Sequence, residues 1–344
     1  MDEQAIEAKP KPQPSPEAKV KQSQTYLGIL GELDINADQW NRRKSLIGQL
    51  EEKLSERYGA RNRLMSYIFR SGHPRAMITS ADVSSFESVV SSLAGAEQIN
   101  LIIHSPGGDG TIIEKMVEMS RSHCVGANRK FRVIVPNIAK SAATLLALGS
   151  DTIVMGYCSE LGPIDPQLVI NVSGAFQQIS AQSFVDARDS LLQEIQKAAS
   201  EKKDAMGYLQ QLAGLNIPFT KECENLIEFS RKTASQLLSK YMLRSRIGED
   251  GPRDQKAKEI AERLLSKKLF PVHGQFIDGT TARDQLELNV EVLDKHDELW
   301  NLIWNYYVRC EIQMALPLAQ MPGVVKTKLF ESQEVSLVTP DTPG

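Results

Sequence analysis

Apolar residues arrive in short, nearly unbroken runs between residues 63 and 155, and charged, helically spaced stretches separate them. RLMSYIF (63–69), INLIIH (99–104), FRVIVP (131–136) and TIVM (152–155) read as strands buried on both faces. A helix capped by Ser80 is expected to run to about residue 94, a second over 111–122, and a short one over 141–148. This alternation predicts an α/β fold, with a mainly parallel sheet joined by right-handed crossovers.

The flanks read differently. Residues 1–24 are rich in Pro, Lys, Glu and Gln and nearly free of large apolar groups, so they are expected to form a disordered tail. Residues 25–30 suit a strand, and 38–58 an amphipathic helix built on Trp40, Leu46, Ile47, Leu50 and Leu54. Beyond residue 170 charged helical stretches dominate, over 183–212, 221–244 and 255–267. The first is expected to be a helical insertion, spanning about 170–215. A last helix over 294–314 carries the stripe Leu299, Trp300, Ile303, Trp304 and Tyr307, which reads as core or a subunit contact. The stretch from Ala319 is expected to be loosely held. The organisation is thus a tail, one domain over 25–292, and a C-terminal helix with a loose tail over 293–344.

With 344 residues, of which 41% are apolar and 24% charged, the chain has the composition of a soluble globular protein. A net charge of -3 gives no electrostatic case for a nucleic-acid partner. No apolar run approaches the ~18 residues needed to cross a bilayer, and the N-terminus lacks the order of a signal peptide. A cytoplasmic protein is expected, with peripheral membrane contact left open. Cys124, Cys158, Cys223 and Cys310 are scattered with no CxxC pair, so they read as reduced thiols, and neither a metal site nor a cofactor is indicated.

Two loops carry the candidate chemistry, each directly after a strand. In the first, 104–110 (HSPGGDG), adjacent glycines free the backbone to aim amide N–H groups outward at the start of a helix, as binding an oxyanion requires. In the second, 136–144 (PNIAKSAAT), Ser141 sits between small residues at a helix N-terminus, where a polypeptide can approach and a local positive potential favours an alkoxide. Either loop alone reads equally as a tight turn or an N-cap.

The order of these elements is more specific. SPGG, a helix, an apolar strand, a Ser in an Ala-rich context and then ALGSDTIVMG resembles the ClpP/crotonase fold. SAATLLAL, DTIVM and LGPIDPQ are most similar to the serine dehydrogenase proteinase family, relatives of signal peptide peptidase A. The resemblance implies a serine-type peptidase acting on a peptide or protein, with Ser141 as nucleophile and the amides of Gly108 and Ala142 as oxyanion hole. It also implies a homo-oligomer. Gly107 and Asp109 are expected to meet the substrate. Ala142-Ala143 stands where relatives often carry Gly-Gly, which keeps the surroundings of the nucleophile small.

The general base is open at this stage. ClpP proper uses a His and then an Asp downstream, but GYCSELGPIDPQ offers no His at the matching place, and the next is His273. Signal-peptide-peptidase relatives use a Lys made neutral by burial. A Ser-Lys dyad is therefore favoured, with Lys221 or Lys232; eleven residues apart, the two share nearly one helical face. Lys140 is expected to point away from the pocket. Asp165 reads as a turn residue, with a supporting role as the alternative. A crotonase-type acyl-CoA enzyme and a catalytically inactive oligomeric scaffold are the competing functional readings.

Overall fold

The computed structural model describes residues 39–172, 174–316 and 325–341; the expected tail and the strand at 25–30 lie outside them. Seven strands form one sheet: β1 (Asn62–Phe69), β2 (Gln98–His104), β3 (Lys130–Val135), β5 (Thr152–Gly156), β9 (Val290–Leu293), β10 (Lys326–Ser332) and β11 (Ser336–Pro340). Their spatial order is β11-β10-β1-β2-β3-β5-β9, parallel from β1 through β9, with β10 and β11 antiparallel at one edge. Small pairs lie outside it: β4 (Ile138–Ala139) with β6 (Glu160–Leu161), and β7 (Gln167–Val172) with β8 (Ala175–Ser180).

Because successive strand residues point to opposite faces, each continuous apolar run feeds two cores. Met65, Tyr67, Leu101, Ile103, Val133 and Val135 join one, under the helices Asp82–Ser91, Ile113–Ser122 and Ala142–Leu148. Leu64, Ile68, Ile102 and Ile134 join the other, against the helices Gln39–Tyr58 and Glu298–Ala315. The stripe of Leu299, Trp300, Ile303 and Tyr307 is buried in that second core.

Two expectations need correction. The stretch from Ala319 is not loose over its described part, because Lys326–Ser332 is fully buried and pairs with β1. Its lysines interrupt the apolar pattern yet are satisfied inside: Lys328 pairs with buried Asp82 at 2.6 Å, and Lys326 donates to the Gln313 carbonyl at 2.7 Å. The insertion after residue 170 is not purely helical either: it opens with the β7–β8 hairpin and then continues as the helices Ala181–Ser200 and Met206–Ala213.

Candidate active site

Both loops leave the sheet at the C-terminal ends of neighbouring strands, β2 and β3, where open α/β sheets place their sites. They are stitched to each other: Ser105 N donates to the Ile138 carbonyl at 3.0 Å, and Lys140 N to the Ser105 carbonyl at 3.1 Å. The first loop is also bridged to Ile78, whose N–H donates to the Gly107 carbonyl at 2.8 Å and whose carbonyl accepts from Asp109 N at 2.9 Å. In such a parallel bridge the amide of the middle residue, Gly108, faces the opposite side.

Glycine is required at both positions. Gly107 has φ of 107°, and a Cβ there would lie 2.8 Å from the Lys140 carbonyl and from Ser141 Cβ. Gly108 has φ of 142°, and its Cβ would lie 2.3 Å from the Ile78 carbonyl. The backbone can thus run against the second loop only without side chains.

Ser141 adopts φ 50°, ψ −115°, a conformation that costs a non-glycine residue on the order of 1–3 kcal/mol. It occupies the N-cap position, yet its hydroxyl makes no capping bond, which removes the N-cap explanation for a serine here. The helix that follows, Ala142–Leu148, is wholly buried and is pinned by Thr144, whose hydroxyl donates to the Ala139 carbonyl at 2.7 Å. Ala142 is its first residue, so its N–H has no acceptor within the helix.

Ser141, Gly108, Ala142 and His273 line one cleft of about 250 Å³. Its apolar wall includes Leu145, Ile164, Leu226 and Phe229. His273 Nδ1 lies 2.7 Å from Oδ1 of Asp165. Asp165 is 2% exposed and also accepts from Ser180 Oγ at 2.8 Å, from Gln167 Nε2 at 3.0 Å and from the Lys267 ammonium. Burial alone would raise its carboxyl, but the hydrogen bonds from His273 and Lys267 hold it below the ordinary range. An ionised carboxylate only accepts, so Nδ1 of a neutral His273 carries the proton and Nε2 the lone pair.

The expected lysines lie elsewhere. Lys221 sits on the helix Ile217–Leu237 with its side chain 68% exposed, paired with Glu224 at 2.7 Å. Lys232, on the same helix, opens on a separate groove with Glu114 and Lys258. That helix turns Leu226, Phe229 and Ser230 to the cleft instead. Burial, the condition for a neutral lysine, is missing at both, and the Ser-Lys expectation loses its geometric basis. Lys140 is tied into carbonyls away from the cleft, as expected.

Asp109 lines the cleft, but its Oδ1 is engaged by Thr111 N at 2.9 Å and Thr111 Oγ1 at 2.6 Å, a local cap. Gly107 is buried behind Ser141 rather than on the wall. Asp165, expected at a turn, faces His273 across 108 residues of chain. Under the loops, His104 is buried and pushed down to about 4 by that burial; it meets Ser71 Oγ at 2.9 Å and the Tyr307 hydroxyl at 3.3 Å. Cys158 is half-buried outside the cleft, its thiol raised by burial. Among the described residues no group of three or more His, Cys, Asp or Glu is placed to hold a metal, and no helix is long and apolar enough to cross a membrane.

Residues 69–210 match the family described as ClpP-like SDH-type serine proteinase. Two uncharacterized proteins of Methanocaldococcus jannaschii are 43% and 39% identical over 70 residues, each match covering 20% of this chain and 23% of the relative. The chain thus matches about a quarter of the length of these curated relatives. Among solved structures, a mutant of 1510-N membrane-bound stomatin-specific protease aligns at a TM-score of 0.38 and 17% identity, over 65% of this chain and 78% of that one. A second mutant of that protease, in complex with a substrate peptide, aligns at 0.31 and 14% identity, over 72% and 96%. Likenesses this loose carry no argument of their own. The span matched by that family, residues 69–210, holds both loops, Ser141 and Asp165.

Proposed function

We propose that the protein is a serine peptidase in which Ser141, His273 and Asp165 act as a triad. The observation that carries this reading is the 2.7 Å contact between His273, on the wall of the cleft that Ser141 lines, and buried Asp165 behind it. His273 Nε2 takes the Ser141 proton as Oγ attacks the carbonyl carbon of a peptide bond. The developing oxyanion receives the amides of Gly108 and Ala142, aided by the N-terminus of the helix Ala142–Leu148. The tetrahedral intermediate collapses, the C–N bond breaks, and His273 passes its proton to the departing amine. Water, deprotonated by the same imidazole, then hydrolyses the acyl-enzyme and restores Ser141. Asp165 fixes the tautomer and stabilises the imidazolium. A Ser-Lys dyad would require Lys221 or Lys232 to reach the cleft from outside it.

Labelling with a fluorophosphonate probe, followed by peptide mapping, tests the reading. The full chain should carry the adduct on Ser141 and hydrolyse an unstructured protein such as casein, and Ser141→Ala should do neither. A folded wild type that neither labels nor cleaves would overturn it and leave the scaffold reading in its place.

A further inference from the structure

We infer that Lys140 is a positioning residue whose ammonium holds the His273 loop in register with Ser141; the inference rests on the triad reading. Two chain segments, 160–162 and 274–275, converge on its side chain. Nζ donates to the Leu161 carbonyl at 3.2 Å, to the Gln275 carbonyl at 3.1 Å and to the Gly274 carbonyl at 3.4 Å, and it pairs with Glu160 at 2.9 Å. Gly274 and Gln275 directly follow His273 in the chain. The side chain is only 12% exposed, and its stem crosses Gly162, where a Cβ would come within 2.5 Å of Lys140 Cδ. That passage is open only beside a glycine.

The stretch around His273 is the exposed part of its loop. Leu269, Val272 and Phe276, around His273, are 49%, 60% and 52% exposed, while Phe270 and Ile277 anchor the two ends of the loop in the core. Between those ends, Ile277 is bridged to Leu161, Gln275 N donates to the Val272 carbonyl at 3.0 Å, and His273 and the Lys140 ammonium tie the middle of the loop to Asp165 and to the nucleophile loop. Lys140 is also the residue whose own N–H is fixed on Ser105 and whose carbonyl receives Ala143 N. The Lys140 side chain thus joins the nucleophile loop directly to the residues that follow His273. A carboxylate and three carbonyls engage the ammonium, which assigns it a positioning role.

Lys140→Met keeps the stem and removes the charge. Its fluorophosphonate labelling rate and kcat should fall about 10- to 100-fold, with KM for a peptide within about twofold. Hydrogen exchange of the 272–277 amides should rise. In a His273→Ala background the same change should have no further effect on residual labelling, because the group it positions is gone. Lys140→Arg, which keeps the charge on a different geometry, reads the same cycle should Lys140→Met fail to fold. Unchanged labelling and exchange in the variants would overturn the inference, as would an equal loss in both backgrounds. A wild type that does not label sinks the triad reading instead, and the exchange measurement still decides whether Lys140 holds the loop.

Discussion

Between His104 and Leu148 the candidate site is made of backbone; between Asp165 and His273 it is made of side chains. The first half uses two consecutive βα units on neighbouring strands, and its chemistry lies in amides, a helix end and two glycines that fit only without a Cβ. The second half joins residues 108 apart, with a hairpin and helices between them, and its order depends on a carboxylate satisfied by four donors. A backbone device tolerates almost no change of residue at its glycines, whereas a side-chain device fails one contact at a time.

The side-chain half offers the largest test. Asp165→Asn should lower kcat/KM about 10⁴-fold, since the amide no longer selects the tautomer that leaves Nε2 free. A loss below tenfold in peptide hydrolysis would show that His273 works without its carboxylate. In the backbone half, Gly108→Ala should lower the labelling rate about 10²–10³-fold, because the amide loses its aim as the loop retreats from Ile78. Gly274→Ala is the matched control: nothing lies within 4 Å of a Cβ there, and labelling should be unchanged.

What could be read from the chain divides along the same line. Glycines, small residues and the strand-to-helix order mark the backbone half, because local conformation alone demands them, while Ser141 as nucleophile is what the resemblance to the serine dehydrogenase proteinase family implies. His273 and Asp165 each sit in an unremarkable turn, PVHGQ and GPIDPQ, and only the fold makes them neighbours. No histidine stands shortly after β5 because the hairpin and helices displace His273 in sequence and not in space. Lys221 and Lys232 share a helical face as expected, but periodicity cannot say that the helix presents Leu226 and Phe229 to the cleft. The lysines of β10 hid a buried strand for a related reason: their partners, Asp82 and the Gln313 carbonyl, are far away in sequence.

The two halves should also respond differently to acid. His104, under the backbone half, is held neutral by burial, with its pKa lowered from 6.5 to about 4. The unfolded chain therefore takes up a proton first, and stability should fall from pH 6.5 towards 4, by on the order of 3 kcal/mol. Asp165, held below its ordinary range, adds stability that is lost only at lower pH, as the carboxylate becomes protonated. Urea midpoints between pH 7 and 4 should drop for wild type and stay flatter for His104→Gln; parallel slopes would contradict the assignment. The smallest effect is expected at Asp109→Ala, which loses a cap worth about 1 kcal/mol and changes kcat/KM less than about threefold. A larger loss would return Asp109 to substrate binding.

The assignment of the base decides the account, and one side-by-side labelling experiment reads it. Second-order rates of fluorophosphonate reaction at Ser141 would be measured for wild type, His273→Ala and the double variant Lys221→Ala with Lys232→Ala, each checked for folding. The triad predicts that His273→Ala loses about 10³-fold or more while the double variant stays within twofold of wild type. Labelling of His273→Ala at the wild-type rate, with loss in the lysine variant, would contradict it.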